Sequence, residues 1–251
     1  MRINIHGTSA TALVLLMSAQ SAIAAIALDR TRVIVNGGAS SVSLSLSNEN
    51  KNLPFLAQGW IEDAQGNKIT SPLIVLPPVQ RVEPGARGQV KVQVSPAISA
   101  LPQNRETLYY FNLREIPPRS NKPNTLQIAL QTRIKLFYRP SGILLDKTQA
   151  AYGDWVEKVT LLRHGDKYVL SNPTPYYLSL VEARGTEKGN PLRFQPVMVS
   201  PGGQETLSTP AAELGNTPVL TYINDYGGRP QIRFTCSGNN CNAKLLRPGK
   251  S

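Results

Sequence analysis

Apolar and polar positions alternate with period two along most of this chain, the mark of strands with one buried face. The run 41–47 reads Ser-Val-Ser-Leu-Ser-Leu-Ser, and 88–95 sets Val90, Val92 and Val94 against Gln89, Lys91 and Gln93. Residues 31–36 are rich in β-branched side chains and stop at Gly37-Gly38. Residues 55–62 form a further run carrying Trp60, 74–76 are halted by Pro77-Pro78, and 106–116 are rich in aromatics before Pro117-Pro118. Turn residues at 63–67 and 83–85 separate these runs. With the strand described next, the pattern predicts about seven strands before residue 140, the count and spacing of an immunoglobulin-like sandwich.

The longest strand in this reading is 126–139. Leu126, Ile128 and Leu130 alternate with Gln127, Ala129 and Gln131, and neither Gly nor Pro intervenes before Pro140. The run is about twice the usual strand length. Its other face carries Arg133, Lys135 and Arg139. One end of such a strand can belong to its own sheet while the rest offers an edge to another chain.

Pro140-Ser-Gly142 interrupts the pattern and a polar stretch, 146–154, follows. A domain boundary is read there, giving a first domain at 25–142 and a second at 143–251. In the second, strands are predicted at 156–163, 167–171, 176–183, 193–199, 205–208, 219–224, 231–236 and 242–246. Gly165-Asp166 and Asp225-Tyr-Gly-Gly228 are hairpin signals. No segment of useful length carries a 3.6-residue apolar stripe. The fold class is all-β, with two β-sandwich domains joined by a short linker.

Composition adds compartment and chemistry. The 251 residues are 41% hydrophobic, enough for two domains with real cores. Residues 1–24 read as a signal peptide: Arg2, an apolar stretch at 10–17, then Ala22-Ile23-Ala24 before the cut. A second A-x-A ends at Ala27, so two cut positions stay open. The apolar run is too short to span a bilayer, so an exported and not membrane-embedded protein is expected. Export leads to an oxidising compartment, where Cys236 and Cys241 can pair. Closing so small a loop is worth ~2 kcal/mol in the chain-entropy model. A zinc site needs about four ligands, so metal is not expected. His164, the one histidine beyond the signal, sits in a turn and reads as a surface residue. Glu62 and Asp63 adjoin a turn and read as solvated charges. There is no Gly-x-Ser-x-Gly, no phosphate-cradling loop and no Cys/His pair, so neither catalysis nor a cofactor is expected. The formal charge of +11 suits an acidic partner or an anionic end group. Its basic residues are scattered, which argues against nucleic acid.

The segment Leu101-Pro-Gln-Asn-Arg-Glu-Thr-Leu-Tyr-Tyr-Phe-Asn-Leu-Arg-Glu-Ile-Pro-Pro118 resembles the signature of the periplasmic pilus-assembly chaperones. Asp29-Arg-Thr-Arg32, Asn172-Pro-Thr-Pro-Tyr-Tyr177, the 126–139 strand and Tyr222-Ile-Asn-Asp-Tyr-Gly-Gly-Arg-Pro230 resemble that family too, so the likeness spans essentially the whole mature chain. The resemblance implies two immunoglobulin-like domains in a boomerang, with a cleft between them. It implies that Leu126, Ile128 and Leu130 fill the groove of a pilus subunit lacking its last strand. It implies that Arg32 and Lys135 grip the subunit's terminal carboxylate, and that Glu106, Arg139 and Asp225 form a charge network between the domains. The short loop at 119–124 and the absence of cysteine from the first domain are similar to the short-loop chaperones, which serve rod-like pili. The implied function is a periplasmic chaperone working without ATP or metal. It binds pilus subunits, keeps them from aggregating and delivers them to an outer-membrane usher. An exposed apolar edge also invites self-capping as a dimer.

Taken alone, the residues leave other readings open. Leu126, Ile128 and Leu130 could face their own core, and the cations could be surface charges. A structural fibre subunit or adhesin of similar sandwiches is the alternative function, though few residues precede the first strand to serve as a donor extension. A carbohydrate-binding module would need an aromatic platform, and the consecutive Tyr109, Tyr110 and Phe111 alternate between faces.

Overall fold

The structure, a computed structural model, describes residues 25–120, 123–124 and 126–247. Residues 1–24, read above as a signal peptide, and part of the 119–124 loop lie outside the described residues. The first domain is built from β1 (Ile26–Leu28), β2 (Arg32–Asn36), β3 (Ser41–Asn48), β4 (Phe55–Glu62), β5 (Lys68–Ile69), β6 (Leu73–Leu76), β7 (Val79–Val82), β8 (Arg87–Val94), β9 (Thr107–Ile116) and β10 (Gln131–Arg139). One sheet runs β1-β3-β8-β6, the other β2-β10-β9-β4-β5 with β7 also on β4. The alternating residues meet between the sheets: Leu44, Leu46, Val90 and Val92 from one, Ala57, Phe111, Leu136 and Tyr138 from the other, all buried.

Three short strands were not legible in the pattern: β1, β5 and β7. None is longer than four residues, too short to display an alternation. The start of the chain is shared between the two sheets. Ile26–Leu28 pairs with β3 in one sheet, the chain crosses at Asp29-Arg30-Thr31, and Arg32–Asn36 pairs with β10 in the other. That crossing brings Arg32 to the end of the sandwich, facing the second domain. The long 126–139 strand is corrected as well. Regular pairing begins at Gln131, and 126–130 extend beyond the regular strand.

The second domain holds α1 (Lys147–Tyr152), β11 (Thr160–His164), β12 (Lys167–Ser171), β13 (Leu178–Arg184), β14 (Val197–Val199), β15 (Gln204–Thr206), α2 (Ala211–Leu214), β16 (Val219–Tyr222), β17 (Gln231–Ser237) and β18 (Asn240–Leu246). Its strands form one hydrogen-bonded path, β14-β13-β16-β17-β18-β11-β12-β15, rather than two separate sheets. The two end strands are joined by a turn closed by Gly203 N–H to Ser200 O at 3.0 Å. The strand expected from 156 starts at Thr160, because 154–158 coil into a 3-10 helix that buries Val156. The same turn sets Trp155 against Tyr176 and Tyr222, with ring centroids 4.9 and 6.2 Å away. Strand structure expected at 193–196 is likewise absent, and β14 starts at Val197. Asp146 caps α1 through a reciprocal capping box with Gln149, which explains a helix in so short a polar stretch. Cys236 and Cys241 stand directly opposite each other on β17 and β18 and are disulfide-bonded.

The two domains touch along β10. Phe137 packs on Tyr177 with centroids 5.4 Å apart. The Glu106 N–H donates to Pro175 O at 2.9 Å, and the Tyr176 hydroxyl reaches the linker at Ile143 O, 3.0 Å away.

Candidate functional site

One face of the 126–139 stretch changes character along its length. Leu136 and Tyr138 are buried in the first-domain core and Ile134 is partly buried against it. Leu130, Ile128 and Leu126 continue the same parity outward with 39%, 62% and 84% of their surface exposed. The core ends and the apolar row does not. The hydrogen-bonding edge behaves likewise. On one side β10 pairs with β9 from Gln131 to Tyr138. On the other it pairs with parallel β2 only from Lys135 to Arg139. Among the described residues, no strand pairs with the second edge ahead of Lys135.

Of the residues of opposite parity, Lys135, Phe137 and Arg139 meet the second domain. Lys135 and Arg32 are register partners at the point where β2 begins. Lys135 Nζ donates to Ser179 Oγ at 2.9 Å, and Arg32 Nη1 donates to Ile223 O at 2.8 Å. Ser179 and Ile223 are themselves linked, Ile223 N–H to Ser179 O at 3.0 Å. A pair of neighbouring second-domain residues therefore holds both cations of the first. Desolvation, and then repulsion from Arg32, lowers the Lys135 ammonium to about 8. Burial pushes the Arg32 guanidinium down against the pull of Asp225 and Glu106. Arg32 Nε is buried without a partner. Two close cations, with Lys135 using one of its three donors, make a site that favours an anion with several acceptor oxygens. Arg32 also lines an open cleft of about 530 Å³, together with Asp29, Arg30, Lys147 and Tyr226.

Arg139, two turns of pleat further along β10, lies between two carboxylates. Its Nε and Nη2 are 2.9 and 2.8 Å from Glu106 Oε1, and its Nη1 and Nη2 form a fork to Asp225 at 2.6 and 3.0 Å. The other Glu106 oxygen accepts the Tyr177 N–H at 2.7 Å. The Arg139 and Glu106 side chains are nearly inaccessible, while the Asp225 side chain keeps 19% of its surface. Burial pushes the Glu106 carboxyl up against the pull of Arg139, whose guanidinium stays charged.

Two loops deliver the second-domain partners. In Asn172-Pro-Thr-Pro-Tyr-Tyr177, the fully buried Asn172 donates through Nδ2 to Tyr176 O and Ser200 O and accepts from Thr174. That knot fixes the backbone from which Tyr177 reaches Glu106. In the 222–230 segment, Asn224 Oδ1 accepts from Tyr226 and Gly228 N–H, and its Nδ2 donates to Ala151 O. The turn so closed aims Asp225 at Arg139. Gly227 sits there at φ +81°, and a Cβ would lie 2.7 Å from Thr31 Oγ1, so the turn needs glycine.

Sequence reading missed Ser179 and Ile223, which carry no local signal because only the domain packing brings them to the cations. It also misjudged Glu62. That carboxylate accepts from Trp60 Nε1 and Arg133 Nε at 2.9 Å each, and Arg133 lies over the Tyr110 ring at 3.4 Å. The side chain is therefore tied down on the sheet face. Asp63 caps its own turn by accepting from Gln65 and Asn67. His164 is exposed at the end of β11. Among the described residues no cluster of His, Cys, Asp or Glu could hold a metal, and no helix is long and apolar enough to cross a membrane.

Comparison with known proteins places this geometry. Residues 25–144 match the family model of the pili and flagellar-assembly chaperone, PapD N-terminal domain, and 154–234 match that of the pili assembly chaperone PapD, C-terminal domain. The chain is 50% identical to the probable fimbrial chaperone YfcS of Escherichia coli K12, over 94% of this chain and 92% of the relative. It is 49% identical to the chaperone protein PapD of Escherichia coli, over 88% and 90%. Among solved structures, the periplasmic chaperone SfaE matches with a TM-score of 0.66 at 31% identity, covering 83% of this chain and 98% of SfaE. The SafB chaperone, solved in complex with the Salmonella enterica SafA pilin, matches with a TM-score of 0.70 at 25% identity, covering 86% and 99%. Two β domains in the PapD arrangement, matched along nearly the whole length of the relatives, show that the chain belongs to the PapD family of periplasmic pilus-assembly chaperones, which are not enzymes.

Proposed function

We propose that this chaperone captures pilus subunits by lending them the 126–130 segment, in a register set by Arg32 and Lys135. The observation that carries this reading is an exposed apolar row lying along a strand edge that stays unpaired as far as the paired cations. A chain lying along that edge with its C-terminal carboxylate on Arg32 and Lys135 would occupy the line of β2 extended outward. It would run parallel to β10. Leu126, Ile128 and Leu130 would then sit beside it and enter the apolar groove of the subunit that owns it. Backbone hydrogen bonds supply affinity and the three plugs supply fit, so binding needs no fuel and no cofactor. The Arg139 cluster with Glu106 and Asp225 would hold the second domain at the angle that keeps Ser179 and Ile223 on the cations.

Family membership supports hand-over of the subunit to an outer-membrane usher, and the short 119–124 loop supports service to a rod-like pilus. Until a subunit arrives, the exposed row would be capped by a second copy of the chaperone, since so apolar an edge is an association hazard. Co-expression with the subunits of the same assembly system tests the core reading. A one-to-one chaperone–subunit complex should be recovered from the periplasm. Recovery of a subunit in equal amounts with Arg32→Ala would contradict it.

A further inference from the structure

Glu115, on β9, has no part in subunit capture as described, yet it is a buried carboxylate. It is 6% exposed and accepts the Ile26 N–H at 2.8 Å through Oε2. Its own N–H donates to Leu130 O at 3.0 Å, so it stands at the base of the exposed row. Among the described residues, no Lys, Arg or His forms an ion pair with it. A buried carboxylate held by one amide is poorly compensated.

The next nitrogen along the chain belongs to Ala25, about 3–4 Å from the Ile26 nitrogen by standard backbone dimensions. Ala25 is fixed in place. Its carbonyl accepts the Glu49 N–H at 2.7 Å, and the next residue, Ile26, pairs with Asn48 and is 2% exposed. The sequence offers cuts after Ala24 and after Ala27. A cut after Ala27 would remove Ile26 from the core, take the first two residues from β1 and leave Glu115 without its donor.

We propose that export processing cuts between Ala24 and Ala25, and that the α-ammonium freed on Ala25 forms an ion pair with Glu115. The inference rests on reading 1–24 as a signal peptide. Processing is hydrolysis by an export protease. Water adds across the Ala24–Ala25 amide, leaving a carboxylate on Ala24 and an ammonium on Ala25. The uncut chain offers Glu115 only a neutral amide, so the corner that supports Leu130 is completed by maturation.

The test uses protein purified from the periplasm. Its intact mass should correspond to a chain beginning at Ala25. A chain beginning at Leu28 overturns the proposal, and a chain recovered uncut overturns the signal reading itself. A carboxylate paired with it would favour the charged amine, so the α-amine should titrate at least one unit above its ordinary range of about 7.7–8.0. Acylation near neutral pH should then be about tenfold slower than in Glu115→Gln. Equal rates in the two proteins overturn the ion pair while leaving the cut site standing. If Glu115→Gln does not accumulate, titration of the wild-type amine decides alone, and an ordinary value overturns the pair.

Discussion

Desolvation by the second domain and the neighbouring Arg32 lower Lys135 to about 8, and two pH effects of opposite sign follow. Between that value and the ordinary lysine value of about 10.4, the unfolded chain binds more protons than the folded one, so the contribution of Lys135 to stability rises with pH. Capture runs the other way, because a bound carboxylate favours the charged ammonium. Affinity for a subunit's C-terminal peptide should hold up to about pH 8 and fall above it. Titration calorimetry across pH 6 to 9.5 checks this, and a flat profile would mean that Lys135 does not meet the carboxylate. Ser179→Ala removes the hydroxyl that holds the ammonium. A hydrogen bond to a charged group is worth about 1.5–3 kcal/mol, and this one is present in the free protein. The variant should therefore keep its fold by circular dichroism but melt lower, and the same peptide should bind it more weakly because the ammonium is no longer held in place. At this scale the sequence was partly legible. Arg32, Lys135, Glu106, Arg139 and Asp225 stood out through resemblance, since charges this far apart in the chain have no local pattern. Ser179 and Ile223 did not, because an ordinary strand serine and a backbone carbonyl become partners only when the domains close.

The element that matters most is the outward continuation of β10. Its period-two alternation was readable because it persists where the sheet stops, but the stopping point was not. Alternation records which face a residue takes and says nothing of whether a partner covers it. That is why 126–130 read as part of one long strand, while the structure starts regular pairing at Gln131. The very short β1, β5 and β7 escaped for the opposite reason, having too few residues to alternate. The exposure gradient gives a clean test in Ile128→Glu. With 62% of the residue exposed, the charge costs the free chaperone little. In a subunit groove an unpaired carboxylate costs several kcal/mol, comparable to a large part of a micromolar affinity. The variant should fold with an unchanged melting temperature and leave subunits open to protease. Loss of folding instead would place Ile128 in the chaperone's own core.

For the whole molecule, the relation between the domains rests on few contacts, and Arg139 is central to them. It touches Glu106 of its own domain and Asp225 of the other at 2.6–3.0 Å. Removing one member of a buried charge group strands its partners, at a typical cost of about 3–5 kcal/mol. Arg139→Ala should therefore lower the melting temperature and the periplasmic level, and double-mutant cycles should show coupling to both Glu106 and Asp225. Independent effects would mean that the cluster does not tie the domains. The central claim is that a subunit's carboxylate, held by Arg32 and Lys135, sets the register of the lent strand. A strand on an open edge can slide by two residues and keep its bonds and its apolar face, so on this proposal the anchor would be what prevents misplacement of the plugs. The most direct measurement is calorimetric binding of one subunit-derived C-terminal peptide in free-acid and amide forms, to the wild type and to Lys135→Ala. The acid should bind the wild type much more tightly than the amide, and the two should bind the variant alike. Equal binding of acid and amide to the wild type would contradict the anchor and leave register to the plugs alone.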